Sequence, residues 1–231
     1  MLLKWTGKSK EIRHIARNVN KPSEMNKTSI DWPGLGYTWN PIVGCANGCT
    51  YCYARKISNR FKMIPDFSKP QYFPERIADP CGVKKPATIF VGSMCDIFSE
   101  GVNWIWIENI IDTVERCPQH TFMFLTKKPV EYLQTDWPVN CWLGVSIEKK
   151  SLWLRMAYMD ALPNKKFVSI EPILSDFTGL YLGVFDLVIL GADSSKGAKI
   201  PPLEWVKSVH HRNIWYKRNI LKHYPELDQA K

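Results

Sequence analysis

Gly44-Cys45-Ala46-Asn47-Gly48-Cys49-Thr50-Tyr51-Cys52-Tyr53-Ala54-Arg55 sets the reading of this chain. It holds three of the seven cysteines within eight residues, in the pattern C-x3-C-x2-C. Three thiolates on one short glycine-bearing loop can each hold one iron of a cubane 4Fe–4S cluster, and the fourth iron is then left to a small molecule. A structural zinc ion asks for four ligands, and no further His or Cys stands nearby; His14 and Cys81 lie far off in sequence. Simple packing is the third reading, and a glycine-rich loop suits it poorly. An odd, crowded set of cysteines also argues against a secreted disulfide framework. Cys45, Cys49 and Cys52 are therefore the candidate metal ligands, with an iron–sulfur cluster preferred over zinc or packing.

Outward from this loop, short apolar runs alternate with helical patterns. The runs cover residues 37–43, 88–92, 121–125, 141–146, 166–170, 186–191 and 213–216. Most are near-continuous apolar, as strands of a parallel sheet covered on both faces should be. Between them, Val102, Trp106, Ile110 and Val114 recur every four residues until Pro118. Ser151 is placed to cap a helix over 152–162, and Pro202 to start another. Residues 62–87 carry five prolines and read as an irregular insertion.

Repeating βα units of this size leave a partial barrel or a doubly wound sheet. Polar residues at the strand ends favour the barrel: Ser93 and Asp96, Thr126 and Lys127, Ser146 and Glu148, Glu171, Asp193 and Lys217. A barrel gathers all its strand C-termini at one mouth, whereas a doubly wound sheet concentrates its site at one switch point. The expected fold is α/β, a partial (β/α)6-type barrel over residues 35–217. A basic N-terminal extension (1–34) and a basic C-terminal tail (218–231) flank it.

Charge follows the same division. The chain carries +9 overall; residues 1–30 hold seven basic and two acidic residues, and residues 196–231 eight and three. The centre is near neutral. Basic flanks suggest a polyanionic partner, with nucleic acid preferred, or else a solvated surface. A short basic helix is expected over residues 8–18. An apolar content of 45% excludes a disordered chain. No run approaches the ~18 apolar residues of a membrane span, and the start of the chain lacks the apolar core of a secretory signal. A soluble cytoplasmic protein is expected.

The cysteine pattern, with an aromatic before its last Cys, resembles the radical S-adenosylmethionine superfamily. Thr38-Trp39-Asn40-Pro41-Ile42-Val43-Gly44-Cys45, running into Cys52-Tyr53-Ala54-Arg55, resembles its spore-photoproduct-lyase-like branch. The chain is more similar still to a bacteriophage-associated family of radical-SAM-like proteins with a three-cysteine motif. Ser29-Ile30-Asp31-Trp32, Gly92-Ser93-Met94-Cys95-Asp96-Ile97-Phe98, Leu125-Thr126-Lys127-Lys128-Pro129, Trp142 through Glu148, Ser169-Ile170-Glu171-Pro172 and Tyr216-Lys217 carry that likeness over residues 29–217.

The resemblance implies a 4Fe–4S cluster at the barrel mouth, S-adenosylmethionine on its open iron, and a 5′-deoxyadenosyl radical. It implies that Tyr51 contacts adenine and that Gly92 and Ser93 meet the methionine amino group. The usual Gly-Gly-Glu is absent there, so Ser93 or Asp96 substitutes. Ser146 and Glu148, two apart and on one side of a strand, are implied to hold the ribose, and Asp193 joins the cofactor-binding set. Lys127, Glu171 and Lys217 face substrate or form ion pairs, and Cys95 is a candidate hydrogen-atom donor. Cys81, Cys117 and Cys141 read as structural.

Three functions follow. The preferred one is a radical enzyme acting on a macromolecule, nucleic acid first, with an electron donor such as flavodoxin or ferredoxin and a protein partner also admitted. The second is an iron–sulfur nucleic-acid- or protein-binding module without radical turnover. The third is a non-radical use of cluster-bound S-adenosylmethionine.

Overall fold

Apolar and β-branched runs form the strands: β1 (Leu35–Trp39), β2 (Ile42–Val43), β3 (Gln71–Tyr72), β4 (Thr88–Val91), β5 (Thr121–Thr126), β6 (Cys141–Ser146), β7 (Lys165–Ile170), β8 (Leu187–Leu190) and β9 (Ile214–Tyr216). The structure is a computed structural model that describes Met25 and residues 27–230. The helix expected over 8–18 lies outside the described residues.

Seven strands form one sheet in the order β1-β4-β5-β6-β7-β8-β9, and every neighbouring pair is parallel. The order never reverses, so there is no switch point, and the sheet curls into an open half-barrel. Its count is seven parallel strands rather than six. β2 and β3 stand apart as an antiparallel pair. They anchor the 62–87 insertion, which otherwise holds two short 3₁₀ turns, Pro74–Arg76 and Asp79–Gly82.

Side chains alternate across the sheet. Ile89, Val91, Phe122, Phe124, Leu143, Val145, Val168, Ile170, Val188 and Leu190 face the outer layer and form the main core. Helix α2 (Trp104–Arg116) covers that face through Ile107, Ile110, Ile111 and Val114. The Asn103 side chain caps it, accepting from the Ile105 amide at 3.0 Å. The opposite face lines the barrel's lumen with Phe90, Met123, Phe167, Leu187 and Ile189, and Trp32 plugs it. The Trp32 ring lies 4.3 Å from Phe90 and 5.4 Å from Phe167. Thr28 pairs with the backbone of β1 at Gly36. At the other edge, the Trp215 indole donates to the Asp31 carbonyl at 3.2 Å. Residues 28–32 thus lie between the two edges of the half-barrel.

Two local expectations change. Residues 53–61, for which no helix was expected, form helix α1 (Tyr53–Phe61). The segment after Lys149 is 3₁₀ over Lys150–Tyr158, and Ser151 does not cap it. Met156 is its one buried residue, so no apolar stripe of α-helical period holds it to the core. Short helices α3 (Leu203–Lys207), after Pro202, and α4 (Arg218–Leu221) close the chain, and Ile220 and Leu227 enter the main core. Cys117 and Cys81 touch at the end of α2, sulfur to sulfur 2.8 Å, and Cys141 starts β6. All three lie away from the mouth. No helix among the described residues is long and apolar enough to cross a membrane.

Gly144 in β6 is a requirement of this lumen. A Cβ there would lie 2.2 Å from the Phe167 ring. We expect Gly144→Ala to lower stability by about 1–3 kcal/mol through overpacking. Phe167→Leu in the same chain should recover part of that loss, a coupling that thermal unfolding of the two single variants and the double variant will measure.

Candidate active site

The strand C-termini open on a cavity of about 580 Å³. The loop between β2 and α1 forms one wall and brings Cys45, Cys49, Tyr51 and Cys52 to it. Backbone bonds set this loop: Cys45 N donates to Phe67 O at 2.7 Å, and Gly44 N to Met94 O at 3.0 Å. The Ala46 amide donates to Ser99 Oγ at 2.7 Å. Cys52 is the N-cap of α1, its sulfur accepting from the Arg55 amide at 3.3 Å. Arg55 reaches back to the Cys49 carbonyl at 3.2 Å. Burial pushes the Cys45 thiol up, and a bound metal would reverse that shift.

Asp96 ties this loop to the barrel. It is only 6% exposed. Oδ1 accepts from Thr126 Oγ1 at 2.7 Å and from the Phe98 amide at 3.1 Å. Oδ2 accepts from Asn47 Nδ2 and from the Lys127 amide, both at 2.9 Å. Four donors engage its lone pairs, so the carboxylate holds the cysteine loop, the β4 exit and the β5 exit together. Gly92 and Ser93 line the cavity beside it. Ser93 Oγ donates to Asn40 Oδ1 at 3.1 Å, which also accepts from the Met94 amide at 2.9 Å. Cys95 reaches the same cavity, and burial raises its thiol well above the ordinary range.

The far wall is built on ion pairs. Lys127 pairs with Glu148 and donates to Tyr51 Oη at 3.0 Å and Ser146 Oγ at 3.3 Å. Burial lowers the Lys127 ammonium. Ser146 Oγ donates to Glu148 Oε1 at 2.9 Å, and Arg155 meets Glu148 Oε2 at 3.3 Å. Ser146 and Lys127 line the cavity; Glu148, 4% exposed, stands behind them and does not. Lys217 pairs with Glu171 at the mouth, and Gly191 leaves room for that carboxylate, since a Cβ there would lie 2.9 Å from it. Asp193 lines the remaining edge. The candidate metal, cofactor and substrate residues therefore converge on one mouth, with Glu148 one layer back. Asn40, Asn47 and Arg155 were not singled out. The two asparagines stand inside the quoted motifs, Asn40 after Trp39 and Asn47 before Gly48, and were legible as hydrogen-bonding loop residues; Arg155 carried no signal.

The donor set suits a cubane. Cys45, Cys49 and Cys52 line one cavity, and a cubane offers each of three thiolates its own iron.

An open α/β half-barrel with a three-cysteine loop at its mouth is the class that fold and site define. Two structures share the fold. Spore photoproduct lyase complexed with dinucleoside spore photoproduct aligns at 12% identity and TM-score 0.53, over 80% of this chain and 64% of the other. A mutant of that lyase with the same dinucleoside aligns at 12% identity and TM-score 0.55, over 83% and 68%. No curated protein matches. The chain belongs to the family described as "Protein of unknown function (DUF5131)", whose model matches residues 27–217.

Replacing Asp96 tests the loop's anchorage. Asp96→Ala strands four buried or half-buried donors, at roughly 1–3 kcal/mol for each one left unsatisfied. Asp96→Asn should also destabilise, because its amide nitrogen would face donors. Thermal unfolding should shift down by several degrees in both variants; an unchanged midpoint would place the anchorage in the backbone alone.

Proposed function

We propose that this protein is a radical S-adenosylmethionine enzyme acting on nucleic acid. One observation carries the reading: the three-thiol loop and the polar strand ends of the half-barrel face a single cavity. Cys45, Cys49 and Cys52 would hold a 4Fe–4S cluster. With S-adenosylmethionine bound there and a one-electron donor such as flavodoxin or ferredoxin, the cluster would supply the electron that cleaves S-adenosylmethionine to methionine and a 5′-deoxyadenosyl radical.

The chain's own residues supply position and exclusion of water. Tyr51, held by Lys127, offers an aromatic surface for adenine. Gly92 and Ser93 offer a tight turn and a carbonyl for an amino group. Asp96 acts by holding that turn, since its lone pairs are already engaged. Ser146 and Asp193 are the cavity's hydroxyl and carboxylate for ribose, with Glu148 fixing Ser146 and Lys127 from behind. Glu171 and Lys217 face substrate at the outer rim. Cys95 is the thiol placed to return a hydrogen atom to a product radical. The shared fold supports a nucleic-acid substrate through the dinucleoside bound in the similar structures. The chain's +9 charge points the same way. A cytoplasmic location agrees with the reducing conditions that such a cluster needs.

Anaerobically reconstituted protein should carry about four irons per chain. Cys45→Ala, Cys49→Ala or Cys52→Ala should abolish this, whereas Cys117→Ala should retain it. With dithionite and S-adenosylmethionine, the wild type should release 5′-deoxyadenosine. A fully iron-loaded protein that releases none would replace the enzyme with a binding module.

A further inference from the structure

Helix α1 turns an apolar row outward. Tyr53, Ile57 and Phe61 are 43%, 39% and 66% exposed. They stand four residues apart, about 6 Å per step along one helix face. A helix of a globular domain normally hides such a row against the core; α1 buries only Ala54 and Ser58. The row also has a direction. Tyr53 and Ile57 line the cavity, and Phe61 stands one turn further out. Tyr53 is fixed at the lip, its hydroxyl donating to Ser93 O at 2.7 Å.

Positive charge flanks this row. No Asp or Glu occurs from residue 32 to residue 65, while α1 and its C-cap carry Arg55, Lys56, Arg60 and Lys62. Arg55 is occupied by the cysteine loop, but Lys56, Arg60 and Lys62 are exposed. The Arg60 guanidinium lies 5.3 Å from the Phe61 ring centre. Lys56 reaches Ser195 Oγ at 2.7 Å, so the loop bearing the exposed Lys196 and Lys199 stands beside it.

A partner for this surface must be anionic, must offer flat apolar faces, and must send part of itself into the cavity. An acidic protein meets the first condition, but it sets flat apolar faces beside its charges only where aromatic side chains happen to stand next to carboxylates. Stacked duplex keeps its bases from the exposed rings. An unpaired strand meets all three: phosphates for Lys56, Arg60 and Lys62, bases to stack on Phe61 and Tyr53, and one extruded nucleotide for the cavity. We infer that the outer face of α1 is a docking track for single-stranded DNA leading into the cavity. This inference rests on the nucleic-acid reading above and names the surface that reading lacked.

The test uses the full-length reconstituted protein and fluorescence anisotropy. Labelled single-stranded DNA, the same sequence as RNA, and the DNA duplex are titrated across a range of salt. Single-stranded DNA should bind most tightly, with affinity falling as salt rises. Replacing Lys56→Gln, Arg60→Gln and Lys62→Gln together should flatten the log–log salt slope by up to about two units. Phe61→Ala should weaken binding about tenfold with the slope retained, because it removes stacking and not charge. Lys84→Gln with Lys85→Gln, exposed at the opposite end of the barrel ahead of β4, should change neither.

Strand binding that ignores the α1 variants overturns the track, and would return α1 to an acidic protein such as an electron carrier. Preference for duplex or for RNA overturns the assigned strand. Release of 5′-deoxyadenosine by the wild type is scored separately. Release without α1-dependent strand binding defeats this inference alone; α1-dependent binding without release defeats the radical-enzyme reading alone.

Discussion

The Asp96 carboxylate is the contact on which the site's geometry depends. Two oxygens accept four hydrogen bonds, from Asn47, Phe98, Thr126 and Lys127. These donors come from three separate pieces of chain: the cysteine loop, the turn after β4, and the end of β5. A buried carboxylate is costly unless its lone pairs are filled, so burial and saturation enforce each other. Backbone bonds from Gly44, Cys45 and Ala46 also hold the cysteine loop, and Cys45 and Cys52 pack on the cluster of Val43, Ala54, Ile64, Phe67 and Met94. Through Asn47 the loop inherits the rigidity of the sheet, which is what holding ligands in a fixed array requires.

Behind the mouth, charge is handled in the same way. Glu148 is buried with Lys127 and Arg155 on its two oxygens, and Glu171 stands with Lys217. Such pairs contribute little net stability, because desolvation offsets most of their attraction. Their effect is positional. Glu148 orients Ser146 and Lys127, and Lys127 in turn orients Tyr51. A chain of side chains therefore runs from β6 across the cavity to the cysteine loop, closing a ring of contacts that Asp96 begins on the other side.

Much of this was legible in the sequence, for identifiable reasons. Parallel strands buried on both faces read as apolar runs, and each of the seven runs holds a strand of the sheet, the first breaking at Asn40-Pro41 so that Ile42–Val43 pairs elsewhere. Polar residues directly after those runs marked the mouth, because loop residues at strand ends have nowhere else to point. Helix α1 was missed although Tyr53, Ile57 and Phe61 recur every four residues, because the cysteine motif that runs into it was read as a loop. The Lys150–Tyr158 segment was expected to be helical from Ser151 as its cap; a cap does not distinguish an α-helix from a 3₁₀ turn, and with Met156 alone buried no apolar face enforces the α period.

Residue type, spacing and order along the chain determined the class of fold, the three-thiol loop and the residues around one mouth. These are local properties: a cysteine is a ligand type wherever it lies, and a strand buries its faces by alternation. The division of labour among the polar residues was decided only in three dimensions. Asp96 and Glu148 look alike in sequence as carboxylates at strand ends, yet one is saturated by backbone and hydroxyl donors and the other by two cations. Whether a carboxylate meets a ligand or holds its neighbours depends on how many donors the fold brings to its lone pairs. Those donors, from Asn47 to Arg155, lie tens of residues away or on elements whose path the sequence did not reveal.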